Sequence, residues 1–379
     1  MVVRRGWRIA AGFLALLFLA VCFTVGAAAA ETGAPEPCLS ARGTAEIRFR
    51  IPGILFPDAV EREACRPAEQ SDNRSATERK LIPGGGVFGI RIACDGVLVV
   101  GFREGGSAGC DAGLRAGDLI VSVNGQKIGT VEELTGAVAN SGGRPLSFSV
   151  VREEETVSLT VTPVRYDGGD WQLGIFVRDN AAGIGTVTFI DPETGAFGGL
   201  GHAIGDGKTG KPIRLKNGTV TGVILDGIKR GKTGEPGELR GMLRPGGIGT
   251  VESNTECGVF GRFSEIPAGK AIPVAAPDEV REGDATILCT LKNGSVGEYA
   301  VEIGDLGSKS GCTRCFSVRV TDPALLALTG GIVRGMSGSP ILQNGRLIGA
   351  VTHVMVSDPT KGYGIYLDSM LRAMEEGRA

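Results

Sequence analysis

Short alternating runs of apolar and polar residues dominate the chain after residue 80, and glycine-rich turns separate these runs. Alternation with a period of two predicts strands, because successive side chains of a strand point to opposite faces. Between residues 204 and 320 the runs recur roughly every 8 to 12 residues, as they do in β-barrels and β-sandwiches. Clear runs predict strands at residues 87–92, 96–102, 146–151, 155–161, 181–190, 218–225, 286–291 and 298–303.

Composition supports a mainly β protein. Residues 131–139 have a helical pattern, but no long amphipathic helix is evident. Glycine is abundant, with 62 residues, whereas aromatic residues make up 5% of the chain, which favours tight turns and short strands. The 379 residues are enough for two globular units and an appendage. The net charge of −2, with both signs interspersed, gives no electrostatic argument for nucleic acid, and we expect none as a partner.

The N-terminus has the pattern of an export segment. Arg4, Arg5 and Arg8 precede residues 9–30, which carry no charge. As a helix, this stretch would span roughly 33 Å, enough for a hydrocarbon core of about 30 Å. We therefore predict a transmembrane anchor or signal segment at residues 1–30, with the rest of the chain exported. The alternative is cleavage after the small residues 28–30. A polar stalk or linker is predicted at residues 31–79.

Eight of the nine cysteines lie on the predicted exported side, where disulfides can form. The pairs that are near in sequence are Cys38–Cys65, Cys94–Cys110 and Cys312–Cys315. Cys312 and Cys315 could instead form half a zinc site or a redox pair. The chain has only two histidines and no second cysteine pair of this spacing, so we predict no metal site and no cofactor.

A signature within residues 112–125 identifies the first folded unit. The residues follow the pattern Ala-Gly-Leu-x-x-Gly-Asp-x-Ile-x-x-x-Asn-Gly. This pattern resembles that of PDZ domains, which have an α+β fold, and the likeness extends over residues 80–164. The resemblance implies that Val87, Phe88, Gly89 and Ile90 form a loop whose N–H groups hold a peptide carboxylate. The alternative is a PDZ spacer in which Phe88 and Ile90 are core residues.

The stretch Gly335-Met336-Ser337-Gly338-Ser339-Pro340 is the strongest candidate for chemistry. A serine flanked by glycines on a tight turn between strands is typical of a peptidase nucleophile. The N–H groups of Gly335 and Ser337 could point at a developing oxyanion. The alternative is a glycine-rich hairpin turn without catalytic function.

A serine nucleophile needs a base, and the two histidines leave a narrow choice. His202 lies between predicted strands beside a glycine, so its ring has room. His353 lies inside a predicted strand, where packing in the core is favoured over catalysis. The candidates for the orienting acid are Asp191, Asp206, Asp226 and Asp322. Asp322 is equally well explained as a helix N-cap, because Pro323 follows it at the first helical position.

Together, residues 200–202, 321–323, 330–340 and 348–354 resemble the stage IV sporulation protein B family of signalling serine peptidases. The likeness covers nearly the whole chain and implies a trypsin-like double β-barrel at residues 172–379. It assigns Ser337 as the nucleophile, His202 as the base and Asp322 as the acid. The acid comes 120 residues after the histidine and 15 before the serine, a spacing unlike that of trypsin-like enzymes.

The resemblance also implies a biological setting. Members are exported across the forespore membrane into the intermembrane space of the sporangium, cleave themselves, and cleave the extracytoplasmic part of a membrane-bound regulator. That cleavage releases an intramembrane metalloprotease that processes pro-sigma-K. The expected partners are therefore a protein substrate, the chain itself and the membrane. The alternative function is a non-catalytic PDZ scaffold that binds the C-terminus of a membrane partner.

Overall fold

The computed structural model describes residues 79–205, 212–291, 294–307 and 313–377. The predicted membrane segment and nearly all of the predicted stalk lie outside these ranges. Within them, no helix is both long enough and apolar enough to cross a bilayer.

The described residues are mainly β, as predicted, with 22 strands and four helices. The helices are α1 (Ala108–Asp111), α2 (Val131–Asn140), α3 (Pro323–Thr329) and α4 (Leu367–Glu376). The strands are β1 (Lys80–Pro83), β2 (Val87–Phe102), β3 (Leu119–Val123), β4 (Gln126–Lys127), β5 (Leu146–Arg152), β6 (Glu155–Val161), β7 (Val164–Arg165), β8 (Trp171–Gln172), β9 (Ile175–Ile190), β10 (Ala196–Gly199), β11 (Leu215–Thr221), β12 (Val223–Lys229), β13 (Glu238–Leu243), β14 (Gly249–Thr255), β15 (Gly258–Phe263), β16 (Ile272–Pro273), β17 (Gly283–Thr290), β18 (Val296–Gly304), β19 (Phe316–Val320), β20 (Pro340–Gln343), β21 (Arg346–Val354) and β22 (Lys361–Tyr366).

Six strands close the first barrel in the order β9, β10, β15, β14, β11 and β2, and β2 returns to β9. All of these pairs are antiparallel. Alternate side chains point inward and form an apolar core that includes Phe88, Phe197 and Val259. The rings of Phe88 and Phe197 meet edge to face, with 5.6 Å between their centroids.

The second barrel is a closed ring of β17, β18, β19, β22, β21 and β20. Its core contains Ile287, Phe316 and Val351, all of which are buried. Helix α4 contacts strands of both barrels, β10 and β15 in the first and β21 and β22 in the second. The hydroxyl of Thr290 donates to the carbonyl of Gly85 at 3.0 Å and provides a further link between the barrels. The predicted double barrel is present.

The predicted PDZ unit has its own core, which we find between α2 and strands β3, β5 and β6. Leu134 and Val138 on α2 pack with Phe148 and Val150 on β5. Helix α2 begins with a complete capping box at Thr130, which fixes its first turn. The predicted helix and the predicted β5–β6 hairpin are both confirmed.

The PDZ unit and the first barrel share two strands. Strands β2 and β9 are 16 residues long each and pair along most of their length. The register shifts between Ala93 and Leu98, where the pair passes from the barrel into the PDZ unit. The strands predicted separately at residues 87–92 and 96–102 are therefore one strand with a register shift, and the strand predicted to begin at residue 181 begins at Ile175.

This sharing corrects the predicted PDZ boundary and loop. Strand β1 and the first part of β2 belong to the first barrel, so the PDZ unit does not begin at residue 80. Gly89 and Ile90 pair with β9 on one side and with β11 on the other. Val87 and Phe88 pair with β9, and Phe88 is buried. The prediction of a peptide-binding loop at Val87–Ile90 is wrong, because barrel pairing uses the backbone that a peptide would need.

Cys94 and Cys110, a pair near in sequence, do not form a disulfide in the structure. The Cys94 side chain is buried in the core of the first barrel, whereas Cys110 is exposed on α1, and both thiols are free. Burial raises the pKa of Cys94 to about 11, so its thiol stays protonated and unreactive at neutral pH. Cys38, Cys65 and Cys312 lie outside the described residues.

A buried ion pair in the PDZ unit gives a test of the fold. The Asp118 carboxylate, which is 1% exposed, accepts two hydrogen bonds of 2.7 Å from the Arg152 guanidinium. Replacing Asp118 by alanine leaves Arg152 without this partner, so Asp118→Ala should lower the free energy of unfolding by about 3 to 5 kcal/mol in urea titrations. The matched control is Asp167→Ala, which removes the exposed Arg103–Asp167 pair and should cost less than about 1 kcal/mol. Equal losses in the two variants would contradict the buried pairing.

Candidate active site

The turn that carries Ser337 lies between α3 and β20. Gly335 and Gly338 adopt φ values of 98° and 92°, which are strained for any residue with a Cβ. A Cβ on Gly338 would also lie 2.0 Å from the Thr186 carbonyl oxygen. Glycine is therefore required at this position, because the turn is pressed against strand β9.

Hydrogen bonds hold the two peptide planes that carry the Gly335 and Ser337 N–H groups. The carbonyl of Arg334 accepts a hydrogen bond from the Leu239 N–H at 2.8 Å, and the carbonyl of Met336 accepts one from the Ser339 N–H at 2.9 Å. In a trans peptide, the N–H points opposite to the carbonyl. The N–H groups of Gly335 and Ser337 consequently point away from these bonds, and neither donates to another group in the described chain. This arrangement fits the predicted oxyanion hole.

The Ser337 side chain is largely buried, and its hydroxyl donates to the Thr352 carbonyl at 2.8 Å. Thr352 is on β21, and it also contacts the turn that carries the histidine. A Cβ on Gly201 would lie 2.9 Å from the Thr352 methyl group. The structure thus brings the Ser337 turn and the His202 turn together at Thr352, with the serine hydroxyl bonded to a carbonyl rather than to an imidazole.

His202 follows Leu200 and Gly201, whose φ values of 65° and 70° turn the chain sharply after β10. The imidazole is 6% exposed, and its Nδ1 lies 2.8 Å from the carbonyl oxygen of Ala203. When Nδ1 carries the proton and donates to this carbonyl, Nε2 is the proton acceptor. Burial lowers the pKa of His202 below its usual 6.5, which keeps the ring neutral and able to act as a base.

His353 lies beside His202, with 5.0 Å between the ring centroids. Burial, the His202 ring and the Arg314 guanidinium together lower the pKa of His353 to about 3, so it is neutral near pH 7. The sequence favoured a core histidine at this position. The structure instead places His353 on the wall of the cleft that contains Ser337.

The cleft beside Ser337 has a volume of about 650 Å³. Ile332, Val333 and Val354 give it apolar walls, and Tyr363 and Arg314 line it as well. The Arg314 guanidinium lies over the Tyr363 ring, 5.2 Å from its centroid. A cleft of this size can take an apolar side chain next to the serine.

Asp322 is the N-cap of α3. Its carboxylate accepts hydrogen bonds from the N–H groups of Ala324 and Leu325, each at 2.9 Å, and from that of Ala300 at 3.4 Å. These contacts join Asp322 to backbone and do not include His202. The sequence left Asp322 open between cap and triad acid, and its contacts in the structure are those of a cap.

Two of the other acidic candidates have contacts or exposure of their own. Asp191 accepts from the N–H groups of Glu193 and Thr194 and so closes a turn. Asp226 is exposed on strand β12. Asp206 lies outside the described residues. Among the described residues, the hydrogen-bond partner found for Nδ1 of His202 is the Ala203 carbonyl oxygen.

An open strand edge that sequence reasoning missed lies at the start of β9. Residues 175–180 pair with β2 and, in the part of the chain that the structure describes, with no other strand. Helix α2 lies alongside this strand, and the Val131 N–H at the start of α2 donates to the Asp179 carboxylate at 2.8 Å. Gly174, with a φ of 68°, precedes the strand. The edge therefore has the form that accepts an added peptide strand.

A sequence signal for this edge did exist. Leu173-Gly174-Ile175 has the same apolar–glycine–apolar pattern as Phe88-Gly89-Ile90, and the sequence contains both. Sequence alone could not show which copy is taken up by the barrel, because that depends on pairing between distant strands.

Comparison with known families gives two matches. The family model described as SpoIVB peptidase S55 matches residues 169–371, which is 203 of 379 residues and more than half of the chain. A PDZ domain model matches residues 104–152.

Among characterised proteins, the chain is similar to a putative zinc metalloprotease of Lactococcus lactis and to the protease RseP of Photorhabdus luminescens. The first is 33% identical over 98 residues, or 26% of this chain and 21% of that protein. The second is 33% identical over 126 residues, or 33% of this chain and 55% of that protein. The chain thus spans about a fifth to just over half of these relatives. Among the described residues, no group of three or more His, Cys, Asp or Glu side chains could hold a metal ion.

Two solved structures show distant likenesses. The Rv3671c protease from M. tuberculosis, active form, is 14% identical and has a TM-score of 0.30, covering 52% of this chain and 75% of that one. The PDZ domain of the SdrC-like protein from Listeria monocytogenes is 20% identical and has a TM-score of 0.20, covering 22% of this chain and 87% of that one. With TM-scores this low, neither structure informs the geometry of the site.

Replacement of Asp322 by asparagine tests whether Asp322 is a helix cap or a triad acid. Asparagine is an equally good N-cap, so Asp322→Asn keeps α3 but removes the charge. Because the carboxylate contacts backbone N–H groups and not His202, labelling of Ser337 by a fluorophosphonate should slow by less than tenfold. A triad acid would lose about 10⁴-fold. Asp322→Ala, which removes the cap, should lower the free energy of unfolding by about 1 kcal/mol. If the labelling rate of Asp322→Asn falls more than a hundredfold while its stability is unchanged, Asp322 acts as the triad acid.

Proposed function

The chain belongs to the SpoIVB peptidase S55 family, and we propose that it is an exported serine endopeptidase of sporulation signalling. It is tethered by its N-terminal segment to the extracytoplasmic side of the forespore membrane, cleaves itself, and cleaves the extracytoplasmic part of a membrane-bound regulator. This cleavage activates the processing of pro-sigma-K by an intramembrane metalloprotease. The family match supports the peptidase activity, and the uncharged residues 9–30 support the membrane tether.

The observation that carries the proposed chemistry is that the Ser337 turn and the turn of the buried His202 both contact Thr352, beside a cleft lined by Ser337 and His353. The Ser337 hydroxyl turns from the Thr352 carbonyl to Nε2 of His202, which takes its proton as the oxygen attacks the substrate carbonyl carbon. The N–H groups of Gly335 and Ser337 hold the oxyanion. His202 then gives the proton to the leaving amine, and water hydrolyses the acyl enzyme. The Ala203 carbonyl orients the imidazole by accepting from Nδ1.

The PDZ unit supplies a second binding surface in this proposal. A peptide adds to the open edge of β9 at Ile175–Val177, beside α2, and its end approaches the N–H groups around Gly174. Phe176, which is 41% exposed, is available to contact such a peptide. The ligand is a segment of the substrate or of the chain itself.

Replacing the nucleophile tests the activity. Ser337→Ala should abolish both fluorophosphonate labelling and self-cleavage of the purified full chain while leaving its thermal unfolding unchanged, because the variant removes only a hydroxyl. The matched control is Ser339→Ala in the same turn, whose buried hydroxyl has no hydrogen-bond partner in the described chain, and this variant should still be labelled. Labelling of folded Ser337→Ala would refute the assignment of the nucleophile. No labelling of the wild type, together with tight binding of C-terminal peptides, would support a non-catalytic scaffold instead.

The pH dependence of activity should reflect the burial of His202. The base must be neutral, and burial of the ring lowers its pKa below 6.5, so the protonated, inactive form appears only at lower pH. The rate of fluorophosphonate labelling should therefore remain high below pH 6.5 and fall as the pH drops through this lowered pKa. Rates would be measured from about pH 4 to 8, with circular dichroism as the check on folding. A midpoint at or above 6.5 in the folded protein would contradict a buried base.

A further inference from the structure

One strand of the first barrel holds the backbone of the nucleophile turn. Three carbonyl groups of the turn accept hydrogen bonds from β9: the Thr186 hydroxyl donates to Gly335, the Thr186 N–H to Ser337 and the Thr188 hydroxyl to Gly338. The distances are 2.8, 2.9 and 2.8 Å, respectively. Both threonine side chains are fully buried. Two residues of a distant strand thus fix nearly every carbonyl of the turn.

These bonds control the direction of the N–H groups in the cleft. The Gly335 carbonyl belongs to the peptide plane between Gly335 and Met336, whose N–H donates to the Val333 carbonyl at 3.1 Å. With both ends held, this plane cannot rotate, and the preceding plane, which carries the Gly335 N–H, is held by the bond from the Leu239 N–H to the Arg334 carbonyl. Because glycine allows both signs of φ, steric repulsion alone does not keep Gly335 at its φ of 98°. The Thr186 hydroxyl therefore holds one of the two peptide planes whose relative rotation defines the conformation of this glycine.

Thr188 acts on the other side of the nucleophile. The Gly338 carbonyl accepts from the Thr188 hydroxyl, while the Gly338 N–H donates to the Val351 carbonyl at 2.7 Å. Gly338 has a φ of 92° and no side chain to restrict it, so these two bonds fix the peptide planes on its two sides. Ser337 thus lies between Gly335 and Gly338, and β9 donates hydrogen bonds to the carbonyl groups of both glycines.

We propose that Thr186 and Thr188 are positioning residues of the active site, whose hydroxyl groups hold the Gly335 and Ser337 N–H groups in the direction that an oxyanion requires. This inference rests on the proposed peptidase function, since it assigns the residues that orient its oxyanion hole. It differs from simple packing, because a methyl group of the same shape fills the same space but cannot hold the carbonyl groups.

The test uses the purified full chain and isosteric pairs of variants. Thr186→Val and Thr188→Val replace the hydroxyl by a methyl group, whereas Thr186→Ser and Thr188→Ser keep the hydroxyl and lose the methyl group. The matched control is Thr290→Val, since Thr290 is another buried threonine whose hydroxyl donates to a backbone carbonyl, that of Gly85, away from the turn. The readout is the second-order rate constant for labelling of Ser337 by a fluorophosphonate, corrected for the folded fraction from thermal melts.

The valine variants at Thr186 and Thr188 should be labelled about 10 to 100 times more slowly than the wild type, because a mispositioned donor is as costly as a displaced catalytic group. The serine variants should recover to within about threefold, and Thr290→Val should be labelled at the wild-type rate even if it melts earlier.

The inference is overturned if folded Thr186→Val and Thr188→Val react at the wild-type rate, if the serine variants are as slow as the valine variants, or if Thr290→Val is slowed equally. If a valine variant does not fold, its serine counterpart provides the test. A serine variant that is labelled more than about threefold more slowly than the wild type also overturns the inference. Failure of the proposed function has a different signature, because the wild type itself would then not be labelled at Ser337.

Discussion

Strand β9 is the element on which the rest of the molecule depends. Its first residues form one edge of the PDZ unit, its middle closes the first barrel against β2, and its last residues carry the threonines that bond to the turn of Ser337. A strand paired along its length with a second continuous strand is stiff, because each residue is held by the sheet. The open edge beside α2 and the contact to the Ser337 turn thus belong to one strand.

The site is built from buried backbone more than from charged side chains. The serine hydroxyl, the histidine Nδ1 and the turn carbonyls all find backbone or threonine partners. Desolvation, and not a carboxylate, is the largest influence on the pKa of His202. In the proposed mechanism, burial keeps His202 neutral and the backbone donors are fixed before substrate arrives, which is the condition for electrostatic stabilisation without reorganisation.

Local signals in the sequence predicted much of this. The alternating runs, the helical pattern at residues 131–139, the Asp322–Pro323 helix start and the glycines around Ser337 each depend on neighbours within a few residues, and the structure contains all of these local features. The errors came from pairing between distant segments. Val87–Ile90 and residues 173–175 have the same local pattern, and only the closure of the barrel decides which remains open for a peptide.

The site shows the same division between local and distant contacts. Scarcity of histidine pointed to His202, but nothing near Thr186 or Thr188 in sequence indicates that they contact residues some 150 positions away.

The claim that β9 presets the oxyanion hole can be tested most directly by a crystal structure of the chain with a phosphonate bound covalently to Ser337. The account predicts a phosphonyl oxygen about 2.7 to 3.1 Å from the N–H groups of both Gly335 and Ser337, with the threonine bonds to Gly335 and Gly338 intact. A phosphonyl oxygen directed elsewhere, or a turn that has left Thr186 and Thr188, would contradict it.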